Sequence, residues 1–133
     1  AVPFLGGDGW DGLEGYATAD QLKDAYFCAN YAKGSNPDFE SAYKAEYGEE
    51  YPNGFAPLGY DAAMTVVYGI QAAEDAGLTA GDDDYKQAVI DAIAGGTIDG
   101  ITGTFTFDEH HNPVKQTAIL CFDGATPVLK EMF

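Results

Sequence analysis

The segment with the most reactive side chains is Asp108-Glu109-His110-His111, which places two carboxylates beside two imidazoles. Such groups could hold a metal ion or exchange protons with a substrate. However, adjacent residues in an extended or turn segment point in different directions, whereas metal-binding histidines usually stand at helical i, i+4 or longer spacing. Asn112-Pro113 follows directly and is typical of a turn. We therefore interpret the segment as a turn and predict no metal site.

The second candidate is the glycine-rich stretch at residues 6–12, in which four of seven residues are glycine. Glycines let the backbone approach a ligand closely. A phosphate cradle is disfavoured because Asp8 would repel phosphate, whereas a carboxylate binds a cationic group through a strong charge-assisted hydrogen bond. From these residues alone, Asp8 is either a ligand contact or an ordinary surface acid. Trp10 either covers a ligand side chain or packs beneath its own loop.

Other reactive side chains lack the context that catalysis needs. Ser35 and Ser41 have no nucleophile-elbow sequence, and neither Cys28 nor Cys121 has a histidine placed by a local signature. Both cysteines are predicted to be free, buried thiols, with a disulfide as the alternative. The acidic run at 82–84 lacks the alternating oxygen ligands of a calcium loop and is better explained as a helix start. We predict no enzymatic activity, no catalytic residue and no cofactor.

The charge of the chain limits its partners. There are 22 acidic residues against six lysines, with no arginine, and the formal net charge is -16. Nucleic acid and anionic lipid headgroups are disfavoured as partners because their phosphates would be repelled, and we predict no nucleic-acid binding. No stretch approaches the ~20 apolar residues of a membrane span, and no basic and apolar leader opens the chain. Because the sequence starts at Ala1, we expect a signal, an anchor or a whole lobe upstream.

Three helices are predicted in the middle of the chain. Asn36-Pro37-Asp38 supplies an N-cap, a first-turn proline and a first-turn acid, and Gly48 ends that helix. The longest helix spans about residues 57–76 and is apolar around so much of its circumference that burial on several sides is expected. The third helix covers about 83–94. The predicted core positions of the first and third helices are Phe39, Ala42, Tyr43, Tyr47, Tyr85, Ala88, Val89, Ala92 and Ile93.

Strands are predicted towards both ends of the chain. They cover residues 2–5, 25–31, 104–107, 117–122 and 126–132, and Asp123-Gly124 is a hairpin turn. The strands at the two ends have the composition of strands buried on both faces. The predicted strands provide too little sheet for three helices to pack on. Either the fold is unusual, or residues outside this chain complete the sheet.

Five collinear segments carry a family resemblance. They read FLGGDGWD at 4–11, YFCANY at 26–31, FESAYKAEYG at 39–48, APLGYDAA at 56–63 and GITGTFTFDE at 100–109. In this order and spacing they resemble the last third of the type I periplasmic binding proteins that carry leucine, isoleucine and valine. The match covers essentially the whole chain.

The resemblance implies an α/β fold, part of a two-lobed, doubly wound type I periplasmic-binding-protein fold with Rossmann-like lobes that is incomplete in this chain. By analogy, residues 1–32 and 111–133 are segments of the second lobe and 33–110 a segment of the first. A ligand would lie in the cleft between lobes that close by hinge motion. Because most first-lobe strands precede this region in the family, the resemblance also accounts for the missing sheet.

The resemblance further implies a function. Asp8 would receive the α-ammonium of an amino acid, and Trp10 is a second ligand-binding candidate. The whole protein would be the substrate-binding component of an ABC transporter, capturing a branched-chain or other aliphatic amino acid outside the cell and delivering it to the permease. It would be extracellular or periplasmic, either free or anchored by lipid to the cell membrane. The alternative is an extracellular ligand-sensing receptor module on the same fold. The fragment itself is expected to self-associate or to pair with the missing amino-terminal portion.

Overall fold

The computed structural model describes residues 2–50 and 53–133, which fall into two units. The first unit comprises Ala1–Leu58 with Gln116–Phe133, and the second comprises Gly59–Lys115. The first unit thus continues past residue 32, where the resemblance placed a lobe boundary. The assignment of 1–32, 33–110 and 111–133 to particular lobes stays a prediction.

Among the described residues, four α-helices and seven strands form the two units. The helices are α1 (Ala19–Leu22), α2 (Pro37–Tyr47), α3 (Phe55–Asp75) and α4 (Asp83–Gly95). The strands are β1 (Phe4–Gly6), β2 (Ala25–Ala29), β3 (Ile98–Gly100), β4 (Gly103–Phe107), β5 (Pro113–Val114), β6 (Ala118–Asp123) and β7 (Thr126–Met132). Every helix and strand predicted from the sequence is present, with ends shifted by one or two residues. The short elements α1, β3 and β5 had not been predicted.

The sheet of the first unit has the strand order β1-β2-β6-β7. β1 pairs with β2 in parallel orientation, and β6 pairs antiparallel with both of its neighbours, β2 and β7. The predicted hairpin joins β6 to β7, and Gly124 takes the left-handed conformation its turn requires, with φ 62°. Residues on one face of β2 and β6 form the core, together with Ala32. The core residues are Phe27, Ala29, Ala32, Ala118 and Leu120.

The prediction that the terminal strands are buried on both faces was wrong. In β6, buried and half-buried side chains alternate, and in β1 the side chains of Phe4 and Leu5 are 62% and 79% exposed. One face of β2 and of β6 is buried and the other is only half-buried, because few of the described elements pack on that second face. For the same reason the two cysteines, which are free as predicted, are half-buried rather than buried.

Helix α2 is joined to the end of β2 through a polar cluster. The side chain of Asn36 caps the helix by accepting a hydrogen bond from the Phe39 amide at 3.0 Å, and Gly48 ends it with φ 76°. The buried Tyr31 donates its hydroxyl hydrogen to Glu40 at 2.8 Å and accepts a hydrogen bond from the Asn36 amide at 3.1 Å. The predicted capping is therefore confirmed, although the apolar face of α2 is only half-buried at best.

Because of the Tyr31 hydroxyl, we expect the free energy of unfolding to decrease at alkaline pH. Burial, and then the hydrogen bond to Glu40, raise its pKa well above the usual value. Above about pH 10 the unfolded chain therefore loses a proton that the folded chain still holds, so the contribution of Tyr31 to stability falls as pH rises. Urea denaturation should show wild type more stable than Tyr31→Phe at pH 8, with the difference shrinking by pH 11. A constant difference would contradict this coupling.

In the second unit, α3 packs on α4 and the small β3-β4-β5 sheet through a single stripe. Within this unit its buried positions recur every fourth residue: Asp61, Thr65, Gly69 and Ala73. Gly69 is needed for close packing, since a Cβ there would lie 2.8 Å from Ile93 of α4. The prediction that α3 is buried on several sides was wrong for this chain, because no element formed by residues 2–50 and 53–133 covers the remainder of the helix surface.

A buried carboxylate fixes the turn between β3 and β4. Asp61, 3% exposed, accepts hydrogen bonds from the amides of Ile101 and Thr102 at 2.7 and 3.0 Å and from the Thr102 hydroxyl at 2.5 Å. The ammonium of Lys115 donates to the same hydroxyl oxygen. Desolvation lowers the pKa of Lys115, while the charge of Asp61 opposes that shift. Gly100 leaves room for the carboxylate, since a Cβ there would lie 2.5 Å from its oxygen.

No helix formed by residues 2–50 and 53–133 is both long enough and apolar enough to cross a membrane.

Candidate functional site

The glycine-rich loop begins at the carboxyl end of β1, the position where open α/β sheets place their ligands. Residues Asp8–Trp10 form one turn of 3-10 helix, closed by hydrogen bonds from the Trp10 amide to the Gly7 carbonyl and from the Asp11 amide to the Asp8 carbonyl, both 3.0 Å. The loop is therefore a defined turn at the sheet edge.

Trp10 holds this loop against the core. Its indole lies directly over Gly6, where an added Cβ would stand 2.2 Å from the ring. The half-buried ring also packs on the core cluster that contains Phe27. Of the two roles left open by the sequence, packing beneath its own loop is the one seen here. Ligand contact by the remaining exposed part of the ring stays a prediction.

Asp8 lies at the surface beside a shallow depression in the first unit. The depression is lined by Asp8, Asp11, Ala29, Asn30, Gly54, Phe55 and Leu58. The Asp8 side chain is exposed, and within the described ranges it forms no ion pair or side-chain hydrogen bond. Its carboxylate is therefore available to a cationic ligand.

Asp11 fixes the position of the loop that carries Asp8. Its Oδ2 accepts a hydrogen bond from the Gly54 amide at 2.7 Å, which ties the loop to the residue preceding α3. Sequence reasoning did not single out this residue. The sequence feature that could have identified Asp11 is its position one helical turn after Asp8, in a loop with few other polar side chains. Asp11 therefore positions the candidate site and is already engaged by the protein.

Gly6→Ala tests the loop packing. The added methyl should displace the indole of Trp10 and cost about 1–3 kcal/mol of stability, as overpacking does. Because Trp10 is the only tryptophan, its fluorescence emission should shift to longer wavelength. Gly9→Ala is the matched control, since nothing lies within 4 Å of a Cβ at Gly9. Identical emission and stability in the two variants would contradict the packing described here.

The segment at 108–111 forms the predicted turn. Asp108 Oδ1 accepts hydrogen bonds from the amides of His110 and Asn112, both 2.8 Å, and Oδ2 accepts one from the Asn112 side chain at 3.1 Å. The hydrogen bonds from Asn112 lower the pKa of the Asp108 carboxyl. The carboxylate is thus engaged in stabilising the turn. Across the part of the chain that the structure describes, no three histidine, cysteine or acidic side chains cluster as metal ligands.

A larger cavity of about 380 Å³ also lies in the first unit. Its wall includes carboxylates, a hydroxyl and an amine, from Asp11, Glu14, Tyr31 and Lys33. The hydroxyl of Tyr31 and the amine of Lys33 are both engaged, with Glu40 and Glu50 respectively. The cavity does not include Asp8, and its polar groups are largely used by the protein itself.

Comparison with known proteins identifies the family. Residues 1–125 match the sequence profile described as "Periplasmic binding protein". This chain belongs to that family. The family and the type I fold predicted from the sequence are thereby confirmed, as is the partial coverage of that fold. At the level of the family, its members are extracellular or periplasmic substrate-binding proteins and not enzymes. No relative was found among curated proteins.

Solved structures show the same fold. The substrate-binding protein LivJ of a branched-chain amino acid transporter from Streptococcus pneumoniae, in complex with isoleucine, is 27% identical with a TM-score of 0.69, and the match covers 99% of this chain and 36% of that one. A solute-binding protein of an ABC transporter from R. palustris, in complex with benzoate, is 21% identical over 98% of this chain and 36% of that one, with a TM-score of 0.72. The leucine-binding protein LivK from Thermotoga maritima is 20% identical, with a TM-score of 0.65. The match covers 97% of this chain and 36% of that one. Our chain spans about a third of the length of each of these periplasmic binding proteins.

Proposed function

We propose that the protein containing this chain is the substrate-binding component of an ABC transporter and captures an aliphatic amino acid of the branched-chain class. The observation that carries the proposal is the exposed, unpaired carboxylate of Asp8 in a loop at the end of β1. A carboxylate in a cleft that closes on its ligand forms a strong hydrogen bond with an ammonium group. Asp8 would therefore anchor the amino end of the ligand.

The negative charge of Asp8 favours one of the two kinds of ligand found in the similar structures. LivJ was solved with isoleucine, which carries an ammonium, and the R. palustris protein with benzoate, which carries only a carboxylate. An anion beside Asp8 would be repelled, and no lysine lines the depression to compensate. The local charge therefore favours an amino acid over an aromatic acid.

The wider setting of the function belongs to the same proposal. The binding protein acts outside the cytoplasmic membrane, free in a periplasm or tethered by lipid, and delivers its ligand to a membrane permease. Residues 1–32 and 111–133 belong to one lobe and 33–110 to the other, and hinge closure of the lobes buries the amino acid. Trp10 contributes to the ligand site through the exposed part of its ring.

Calorimetry of the full-length protein tests the ligand class. The panel consists of leucine, isoleucine, valine, benzoate and 4-methylpentanoate, which is leucine without its amino group. At least one branched-chain amino acid should bind more than tenfold more tightly than benzoate and 4-methylpentanoate. If 4-methylpentanoate binds as tightly as leucine, the ammonium makes no net contribution and the proposal is wrong.

A further inference from the structure

The depression beside Asp8 has room for only one small group. Its volume is about 20 Å³, and a space of this size holds about one water molecule. An ammonium group is of similar size, whereas the carboxylate and the side chain of an amino acid would have to lie outside. The depression is therefore a pocket for one end of a ligand.

A hydrogen bond in the wall fixes the size of the depression. Asp11 and Gly54 both line it, and the Asp11 Oδ2 atom lies 2.7 Å from the Gly54 amide nitrogen. A Cβ at Gly54 would lie 3.3 Å from the same oxygen, so the two residues are already in close contact. The depression cannot widen on this side for a larger group without breaking the bond.

A second polar side chain in this depression has no protein partner. Asn30 is half-buried, and among residues 2–50 and 53–133 its carboxamide forms no hydrogen bond. Every fully buried side-chain nitrogen or oxygen in the described part of the chain has a partner, so the carboxamide of Asn30 must be open to solvent. Of the described polar side chains in the depression, only those of Asp8 and Asn30 are left for a ligand, since Asp11 is bound to Gly54.

The fold brings Asn30 to the same sheet edge as Asp8. Strands β1 and β2 are parallel, so their carboxyl ends lie side by side. Asp8 follows the end of β1 by two residues, and Asn30 directly follows β2. The neighbours Ala29 and Tyr31 are both buried, which fixes the backbone that carries Asn30. The two side chains therefore stand at adjacent strand ends beside one depression.

An ammonium group in a closed site needs more than one acceptor. It carries three N–H donors, and a donor without an acceptor is costly once water is excluded. The carboxylate of Asp8 can accept one or two of these hydrogen bonds, and the carbonyl oxygen of Asn30 can accept another. The other residues that line the depression, apart from Asp11, have no polar side-chain group: Ala29, Gly54, Phe55 and Leu58.

We propose that Asn30 is a further ligand-binding residue, whose carbonyl oxygen accepts a hydrogen bond from the ammonium that Asp8 anchors, and that this pair selects ligands with an unsubstituted primary ammonium. The inference rests on the proposed function, in which the ligand is an amino acid. An N-methyl amino acid is rejected for two reasons. It has one N–H donor fewer, and its methyl group does not fit beside the nitrogen in a space of about 20 Å³.

Calorimetry of the full-length protein tests this selection. The branched-chain amino acid that binds most tightly is compared with its N-methyl derivative, and wild type should prefer the unmodified form at least 30-fold. Asn30→Ala should bind the unmodified form three- to tenfold more weakly. Because its shorter side chain leaves space for a methyl group, its preference should fall below tenfold. A purely structural role of Asn30 would weaken both ligands equally, and an unchanged preference would overturn the proposal.

Asn30→Asp separates acceptance of a hydrogen bond from donation. Aspartate keeps an acceptor oxygen at the same place, so affinity for the amino acid should stay within threefold of wild type or increase. If this variant binds as weakly as Asn30→Ala, the carboxamide donates to the ligand or only supports the fold, and the proposal is wrong. Gln116→Ala is the matched control, since it removes an exposed amide in the same unit and should change affinity less than twofold.

A simple amine distinguishes the role of Asn30 from the proposed function. The probe is 3-methylbutylamine, which has the side chain and the ammonium of leucine without its carboxylate, and its binding is followed by NMR titration. If no amino acid binds but the amine does, and Asn30→Ala weakens it at least threefold, the role of Asn30 is supported and the proposed function is wrong. If amino acids bind but Asn30→Ala changes neither affinity nor preference, only the role of Asn30 is wrong. If neither an amino acid nor the amine binds, both are wrong.

Discussion

Replacing Asp8 with alanine is expected to weaken binding of a branched-chain amino acid to the full-length protein by about 10- to 100-fold. The estimate follows from the roughly 1.5–3 kcal/mol that a hydrogen bond to a charged group contributes. Asp8→Asn should lose most of the same affinity, because the amide keeps the shape of the side chain but not its charge. Isothermal titration calorimetry of both variants measures the effect.

The matched control for this experiment is Asp20→Ala. Asp20 is an exposed acid on α1 in the same unit as Asp8, so its removal changes the net charge equally without touching the glycine-rich loop. Its affinity should stay within twofold of wild type. If Asp8→Ala binds like Asp20→Ala, then Asp8 contributes only to the general negative field and is not part of the ligand site.

Replacing Asp61 with alanine is expected to lower the free energy of unfolding of the second unit by about 3–5 kcal/mol. The substitution leaves the amides of Ile101 and Thr102 and the Thr102 hydroxyl without their acceptor, and each unsatisfied buried donor costs about 1–3 kcal/mol. It also removes the negative charge that faces the ammonium of Lys115. Losses of this size are typical of breaking a buried hydrogen-bonded network.

Urea denaturation of the 133-residue chain can measure this loss. The control is Asp99→Ala, which removes an exposed hydrogen bond of 2.8 Å to Thr104 in the same small sheet. That variant should lose less than about 1 kcal/mol, because its exposed groups can bond to water instead. Comparable losses in the two variants would show that the Asp61 network contributes no more than a surface contact.

Local signals in the sequence were sufficient for most elements of this fold. Asn36, Pro37 and Gly48 mark both ends of α2 because capping depends on side chains within one turn of the helix. The alternation from Thr104 to Phe107 identified β4, with Phe105 buried and the threonines exposed. The unpredicted strands β3 and β5 have three and two residues, too few for a periodic pattern.

Burial was predicted less well than secondary structure. Val66 and Val67 have the composition of core residues, yet both are half-exposed in this chain. Composition reflects the surroundings in which a sequence was selected, whereas exposure depends on which other segments are present to cover it. The terminal strand β1 and the half-buried cysteines differ from expectation for the same reason.

In the candidate site, too, some features follow from local sequence and others only from tertiary contacts. The sequence by itself determined the family, the loop at the end of β1 and the acid within it, because glycine content and a charged side chain are local properties. Only the tertiary structure decided that Trp10 packs over Gly6, that Asp11 is bound to Gly54 and that Asp61 reaches the turn 40 residues further along the chain. These contacts join residues distant in sequence, and no local pattern encodes which of many acids finds which amide. Packing selects the pair, since a buried donor without an acceptor is too costly to persist.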